Sequence, residues 1–280
     1  MKFADSFPSL KRIIRRVRRT SHRLDGRVIG AVLNTLIPDR VDLLMVHSSL
    51  SACGSVSDGP ETLLNIWRGR CTTLCLPSHA YCYPSLPGEP GPVFDPATTP
   101  GKVGAIPEWM RKAGIGQRSI HPTHAILADG PEAASLCEGH EGCETPCGSG
   151  TPYRKMIENG CSALMFGATM HSYTFFHTAE DASESPLAYE PNLRDRLRFL
   201  DSVGGICELS GRRQTRNPRR FCETAAVLER AGLLRRKRLG LGELLFIPDC
   251  RVVHRYFVER LQRHPDFLFA DCPAPLDIAF

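Results

Sequence analysis

"VDLLMVHSSLSACGSVSDGPETLLNIWRGRCTTLCLP", residues 41–77, decides the fold. Its opening "VDLLMV" and its closing "CTTLCLP" are short, nearly continuous apolar runs, the pattern of strands covered on both faces. Between them "DGPETLLNIWRG" carries helix signals. Asp58 or Gly59 leads, Pro60 and Glu61 occupy the first turn, and Leu63, Leu64, Ile66 and Trp67 supply an apolar face. Strand, crossover helix and strand in succession predict a sheet layered between helices.

The same order recurs outward from this stretch. "GTPYRKMIENG" at 150–160 predicts a helix capped by Thr151, with Pro152 in its first turn and Gly160 at its end, and the apolar "CSALMFG" at 161–167 follows as a strand. Later, "NPRRFCETAAVLERAG" and "RVVHRYFVERLQRHP" read as helices around a strand "GELLFIP". The expected fold class is α/β, mixed, with largely parallel sheet layers and flanking helices. Residues 81–101, rich in proline and glycine, are expected to form a long ordered loop or lid without regular structure.

A chain of 280 residues, 42% hydrophobic and 23% charged, can bury a large core as one large domain or two intimate ones. It has no run of about 18 apolar residues, so no membrane span is expected. The amino-terminal "LKRIIRRVRRTSHR" has no apolar run to serve as a secretory signal. It reads as a basic helix, either packed by Leu10, Ile13, Ile14 and Val17 or bound to an anionic surface. Twelve cysteines form no CxxC pair, and the spacing around Cys137, His140, Cys143 and Cys147 matches no zinc pattern well. No metal is expected, and free thiols in a reducing cytoplasm are the consistent reading.

Chemistry concentrates in "HSYTFFHTAED", residues 171–181. If this stretch is helical, Thr174, His177 and Glu180 share one face and place a hydroxyl, an imidazole and a carboxylate around one small volume. An acid–base constellation is one reading. The other is a Thr helix cap, a carboxylate suited to the dipole and a packed histidine.

Five segments, "VHSSLSACGSVSDGPETLLNIW", "FDPATTPGKVGAIPEWMRK", "RSIHPTHAILADGPEA", "TPCGSGTPYRKMIENGCSALMFGA" and "SYTFFHTAED", resemble in order and spacing the aminoglycoside 3-N-acetyltransferase family. The likeness covers roughly residues 40 to 268. It implies an antibiotic N-acetyltransferase-like fold, distinct from the GNAT enzymes, that uses acetyl-CoA or another acyl-CoA to acylate amines on sugars and other small molecules. By this resemblance His177 is the general base on the acceptor amine and Thr174 assists at the reacting thioester, while Glu180 is placed to hold the imidazole tautomer. The resemblance also lays acyl-CoA along His47, Ser48, Ser49 and Leu50 and along Arg118, Ser119, Ile120 and His121. For His47 and His121 a loop histidine bonded to backbone remains an equal reading. His124 is a further candidate on the acceptor side.

The domain division read from this pattern is a basic helical segment at 1–39, an acyltransferase domain at 40–268 and a tail at 269–280. Two features depart from relatives that hold polycationic drugs. The loop "SHAYCYPSLPG" has no acid before Glu89, and "LSGRRQTRNPRRF" supplies arginines instead. Arg213 and Arg216 are therefore expected to bind an anionic acceptor, a nucleotide-linked aminodeoxysugar. The alternatives are an aminoglycoside acceptor with the arginines forming a solvated face and, from a different class, a non-catalytic protein binding nucleic acid or a membrane surface. A small-molecule amine is the partner expected, with no nucleic acid.

Overall fold

The computed structural model describes residues 23–272 and 276. The basic segment expected to be helical before residue 23 lies outside the described residues.

Helix α1 (Gly26–Leu36) starts at Asp25, whose side chain accepts from the Val28 amide, and it buries Ile29, Leu33 and Leu36. Strand β1 (Val41–Ser48), helix α2 (Gly59–Arg68) and strand β2 (Cys71–Pro77) follow as the opening stretch predicts. Asp58 precedes α2 without capping it, because its carboxylate is drawn to the Gly26 amide at 2.7 Å. Then come β3 (Pro90–Phe94), α3 (Ala105–Lys112), β4 (Gln117–Arg118) and β5 (Ile126–Asp129). Helix α4 (Pro152–Glu158) is capped by Thr151 Oγ1, which accepts from the Arg154 amide, and Gly160 ends it with φ 71°, a conformation that costs glycine little. The remaining elements are β6 (Ser162–Phe166), α5 (Phe175–Ala182), β7 (Tyr189–Leu200), β8 (Ile206–Gln214), α6 (Thr224–Arg230), β9 (Arg235–Leu239), β10 (Gly242–Ile247) and α7 (Cys250–Arg263).

Seven strands form one sheet in the order β9-β10-β6-β1-β2-β5-β4. The sheet is mixed. Parallel pairing is confined to β6, β1 and β2 at its centre, narrower than the largely parallel sheet expected, because the strands added on either side run antiparallel. Side chains alternate faces along each strand. Leu43, Met45, Ala163 and Met165 therefore pack on one side with residues of α4, α5 and α7, while Leu44, Val46, Leu164 and Phe166 pack on the other with α1, α2 and α3. Both faces are covered, which is why these strands read as continuous apolar runs.

A smaller sheet, β8-β7-β3, stands apart. Its strand β3 corrects the expectation that 81–101 holds no regular structure. Pro90 and Pro92 are tolerated because β3 is an edge strand with an irregular register against β7. The helix expected from Asn217 begins with a single 3-10 turn at Phe221–Glu223. Helix α1 shares a core with β1 and α2, and Leu276 packs against the core that includes residues of α7. No helix among the described residues is long and apolar enough to cross a membrane.

Candidate active site

The carboxyl ends of the three central parallel strands meet at one cleft of about 510 Å³, the edge where open α/β sheets place their ligands. His47 and Ser48 come from the end of β1, Pro77, His79 and Tyr81 from the end of β2, and His171, Ser172, Thr174 and His177 from the chain after β6. Val103 and Gly104 close one side, His124 lies on the floor, and the segment Arg216–Arg219 with Phe221 forms the rim.

Thr174 precedes the first turn of α5, and Phe175 and Phe176 are driven into the core against Tyr173, Phe221 and Phe257. That anchoring turns the opposite edge of the helix toward the cleft. His177 Nδ1 donates to Glu180 Oε2 at 2.7 Å, one turn on. Glu180 is 2% exposed, and its second oxygen accepts from Arg219 Nε at 3.0 Å. Burial works to raise the Glu180 carboxyl, but His177 and Arg219 outweigh it and hold the group below its usual range. With Nδ1 committed as a donor, the neutral imidazole carries its lone pair on Nε2. Thr174 is 8% exposed, and its hydroxyl makes one long bond, to Ser172 O at 3.4 Å.

The other histidines differ in kind. Burial pushes His47 down to about 3, and its Nε2 has no hydrogen-bond partner among the described residues. His79 and His124 are also held far below their usual value by burial, so all three are neutral near pH 7. His79 is fixed between Tyr153 Oη, 2.6 Å from Nε2, and Tyr81 Oη, 3.0 Å from Nδ1. The His124 ring lies 4.5 Å from His79 and 6.4 Å from His177.

Of the residues singled out in the sequence, His47, Ser48, His124, Thr174, His177 and Arg216 line the cleft and Glu180 supports it from behind. The others do not reach it. Ser49 and Leu50 turn away into the short helix Leu50–Cys53. Arg118 donates to Ser78 O at 2.7 Å, Thr99 O at 2.6 Å and Pro96 O at 3.2 Å, and it lies over the Phe94 ring. Its Nη1 and Nη2 hold loops together, while Nε is buried without a hydrogen-bond partner among the described residues. Ser119 bonds His140, Ile120 packs on the smaller core, and His121 Nδ1 accepts from the Thr123 and His124 amides. Arg213 pairs with Asp195 in a neighbouring cleft. His140 bonds Ser119 and Pro146 O, the twelve cysteines are free thiols, and no group among the described residues is arranged to hold a metal ion.

Sequence reasoning missed His79, His171, Phe221 and the role of Arg219. A signal existed for His79, which follows the second buried strand as His47 closes the first. Arg219 was one of five similar arginines, with nothing local to distinguish it.

A layered α/β sheet thus brings a buried carboxylate and a partly exposed imidazole together at the ends of its parallel strands. Residues 45–262 match the family model described as aminoglycoside 3-N-acetyltransferase, and the chain belongs to that family. Aminoglycoside N(3)-acetyltransferase III of Salmonella sp is 32% identical over 161 residues, 52% of this chain and 56% of that protein. The chain thus spans little more than half the length of that relative. Aminoglycoside N(3)-acetyltransferase VIII of Streptomyces fradiae is 29% identical over 193 residues, 59% of this chain and 67% of that protein. Among solved structures, AAC-IIIb in binary complex with CoASH superimposes with a TM-score of 0.74 at 22% identity, covering 90% of this chain and all of that one. YokD from Bacillus subtilis gives 0.75 at 20% identity, covering 89% and 97%.

Proposed function

We propose that this chain is an acyl-CoA-dependent N-acetyltransferase that acetylates an amino group of an aminoglycoside. The observation that carries the reading is the His177–Glu180 pair at 2.7 Å, with the imidazole open to the cleft and the carboxylate sealed behind it. Family membership supplies the reaction class.

Acetyl-CoA, when bound, supplies an activated acetyl thioester. The chain's residues do the rest. His177 Nε2 removes the proton that the acceptor nitrogen must lose, and Glu180 stabilises the imidazolium through the Nδ1–H bond. Thr174, with most of its hydrogen-bonding capacity unspent, donates to negative charge developing at the acyl group. Two features fit a thioester and pantetheine arm on the far side of the cleft. His47 Nε2 is a buried polar atom without a partner, and the amides that open α3 at Gly104, beside Ser48, have no side-chain cap.

The nucleotide-linked aminodeoxysugar was expected from the arginine run. That argument loses its footing, because Arg212 stacks on Tyr189, Arg213 pairs with Asp195, Arg219 with Glu180, and Arg220 donates to backbone carbonyls. Only Arg216 of the five is left facing the cleft without a partner among the described residues. The catalytic pair gives no support to a purely binding protein.

The test is thiol release from acetyl-CoA with a panel of aminoglycosides and nucleotide-linked amino sugars. Turnover of aminoglycosides, abolished by His177→Ala, is the expected result. Turnover confined to the nucleotide-linked compounds would overturn the acceptor assignment, and turnover surviving His177→Ala would overturn the mechanism.

A further inference from the structure

The two oxygens of Glu180 serve two different cations. Oε2 takes the Nδ1–H of His177, and Oε1 takes Nε of Arg219, 39 residues further along the chain. The rest of the Arg219 guanidinium is spoken for. Its Nη1 donates to Thr215 O at 2.9 Å and Asn217 O at 2.7 Å, its Nη2 to Thr215 Oγ1 at 3.1 Å, and its plane lies 4.5 Å from the Phe269 centroid. The carbonyls it gathers belong to the same short segment whose Arg216, Asn217 and Pro218 form the cleft rim.

We propose that Arg219 is a positioning residue that divides the charge of Glu180 with His177 and fastens the acceptor-side rim to the base. The inference rests on His177 being the general base. A lysine can share the charge of Glu180 but cannot fasten the rim as well, because a single ammonium presents no planar fork to a carboxylate and two carbonyls at once.

The charged and titratable groups around His177 make the consequence definite. Glu180 lies on its own helix. Arg219 and Arg216 face it from the rim, His124 from the turn before β5, His79 and His47 from the strand ends, and His171 from the turn before α5. His47, His79 and His124 are neutral, so the permanent charges facing His177 in the cleft are those of Glu180, Arg219 and Arg216. Loss of the Arg219 charge leaves Glu180 compensated by His177 alone. The imidazolium is then stabilised, and a higher pH is needed to free the base.

The experiment compares the pH dependence of kcat/KM for wild type, Arg219→Gln, Arg219→Met and Arg219→Lys, with His177→Ala in parallel and folding followed by circular dichroism. In the Gln and Met variants the acid limb is expected to move up by about one pH unit. The acceptor KM should rise about tenfold as the rim loosens, while the acetyl-CoA KM stays near wild type. Arg219→Lys keeps the charge and is expected to keep the wild-type limb with a raised acceptor KM. A lower kcat with an unmoved limb in Gln and Met would overturn the proposal, as would failure of both to fold while the Lys variant folds, since Arg219 would then serve folding alone. Full activity of His177→Ala would instead remove the reading on which the proposal rests.

Discussion

Arg213 Nε donates to Asp195 Oδ1 at 2.8 Å across the β7–β8 hairpin, and Asp195 is 2% exposed. An irregularity in the strand register accompanies the pair. Asp195 lies opposite Gly211, which offers no side chain, and Arg213, in the register shift between Arg212 and Gln214, reaches across to the carboxylate. Removing Arg213 leaves a buried carboxylate uncompensated. Arg213→Ala is therefore expected to lose about 3 kcal/mol of stability in urea denaturation while the acceptor KM of the folded fraction changes less than about threefold. A tenfold rise in acceptor KM with unchanged stability would restore Arg213 to the substrate site.

If His177 is the proposed general base, His177→Ala is expected to lower kcat by about 10²–10⁴-fold with acetyl-CoA affinity nearly unchanged. Glu180→Gln keeps the shape but gives up the charge that supports the imidazolium and pairs with Arg219, so it should lose both rate and stability. Stopped-flow or steady-state thiol release, with calorimetry alongside, measures both. A Glu180→Gln enzyme with wild-type rate would detach the carboxylate from the chemistry.

Arg216 is exposed on the rim, and among the described residues no carboxylate lines the cleft. A polycationic acceptor therefore meets repulsion, and Arg216→Glu should raise kcat/KM for aminoglycosides by about tenfold at low salt, with the gain shrinking as salt rises. The gain should be greatest for the acceptors with most ammonium groups. A loss of efficiency on this charge reversal would point to an anionic acceptor.

Burial pushes His47 down to about 3 and His121 down to about 4, and holds His79, His124 and His140 well below their usual value. In the unfolded chain each takes a proton near pH 6.5. The folded state thus binds fewer protons, and its advantage is complete above pH 6.5 and lost as pH falls below it. At pH 5 the loss is roughly 2 kcal/mol each for His47 and His121, and His79, His124 and His140 add to it in the same direction. Glu108, held down to about 2 chiefly by its bonds to Arg111, keeps its contribution through this window. Acid titration followed by circular dichroism should show unfolding between about pH 6 and pH 4. Retention of the fold until the carboxylates titrate would show that these imidazoles find water or protons without unfolding.

The strands and helices were legible because their signals are local. β1, β2 and β6 had to be continuously apolar to be covered on both faces, and Thr151 and Gly160 mark the ends of α4 by bonds made within a few residues. The parallel core was over-read, since the antiparallel neighbours β5 and β10 carry the same apolar character as their parallel counterparts and direction leaves no trace in composition. Strand β3 was hidden by its prolines, which an edge position excuses.

For the candidate site, the sequence by itself determined that His177 and Glu180 meet, because two residues three apart on a helix must share a face whatever else the chain does. Only the tertiary structure decided what became of the arginines. Arg118, Arg213, Arg216 and Arg219 have the same chemistry, yet one ties loops together, one neutralises Asp195, one faces the cleft and one shares Glu180. A guanidinium reaches partners tens of residues away in sequence, and which partner it meets depends on strand order and register. Those are set by the packing of the whole core, not by the few neighbours that fix a helix turn or a strand.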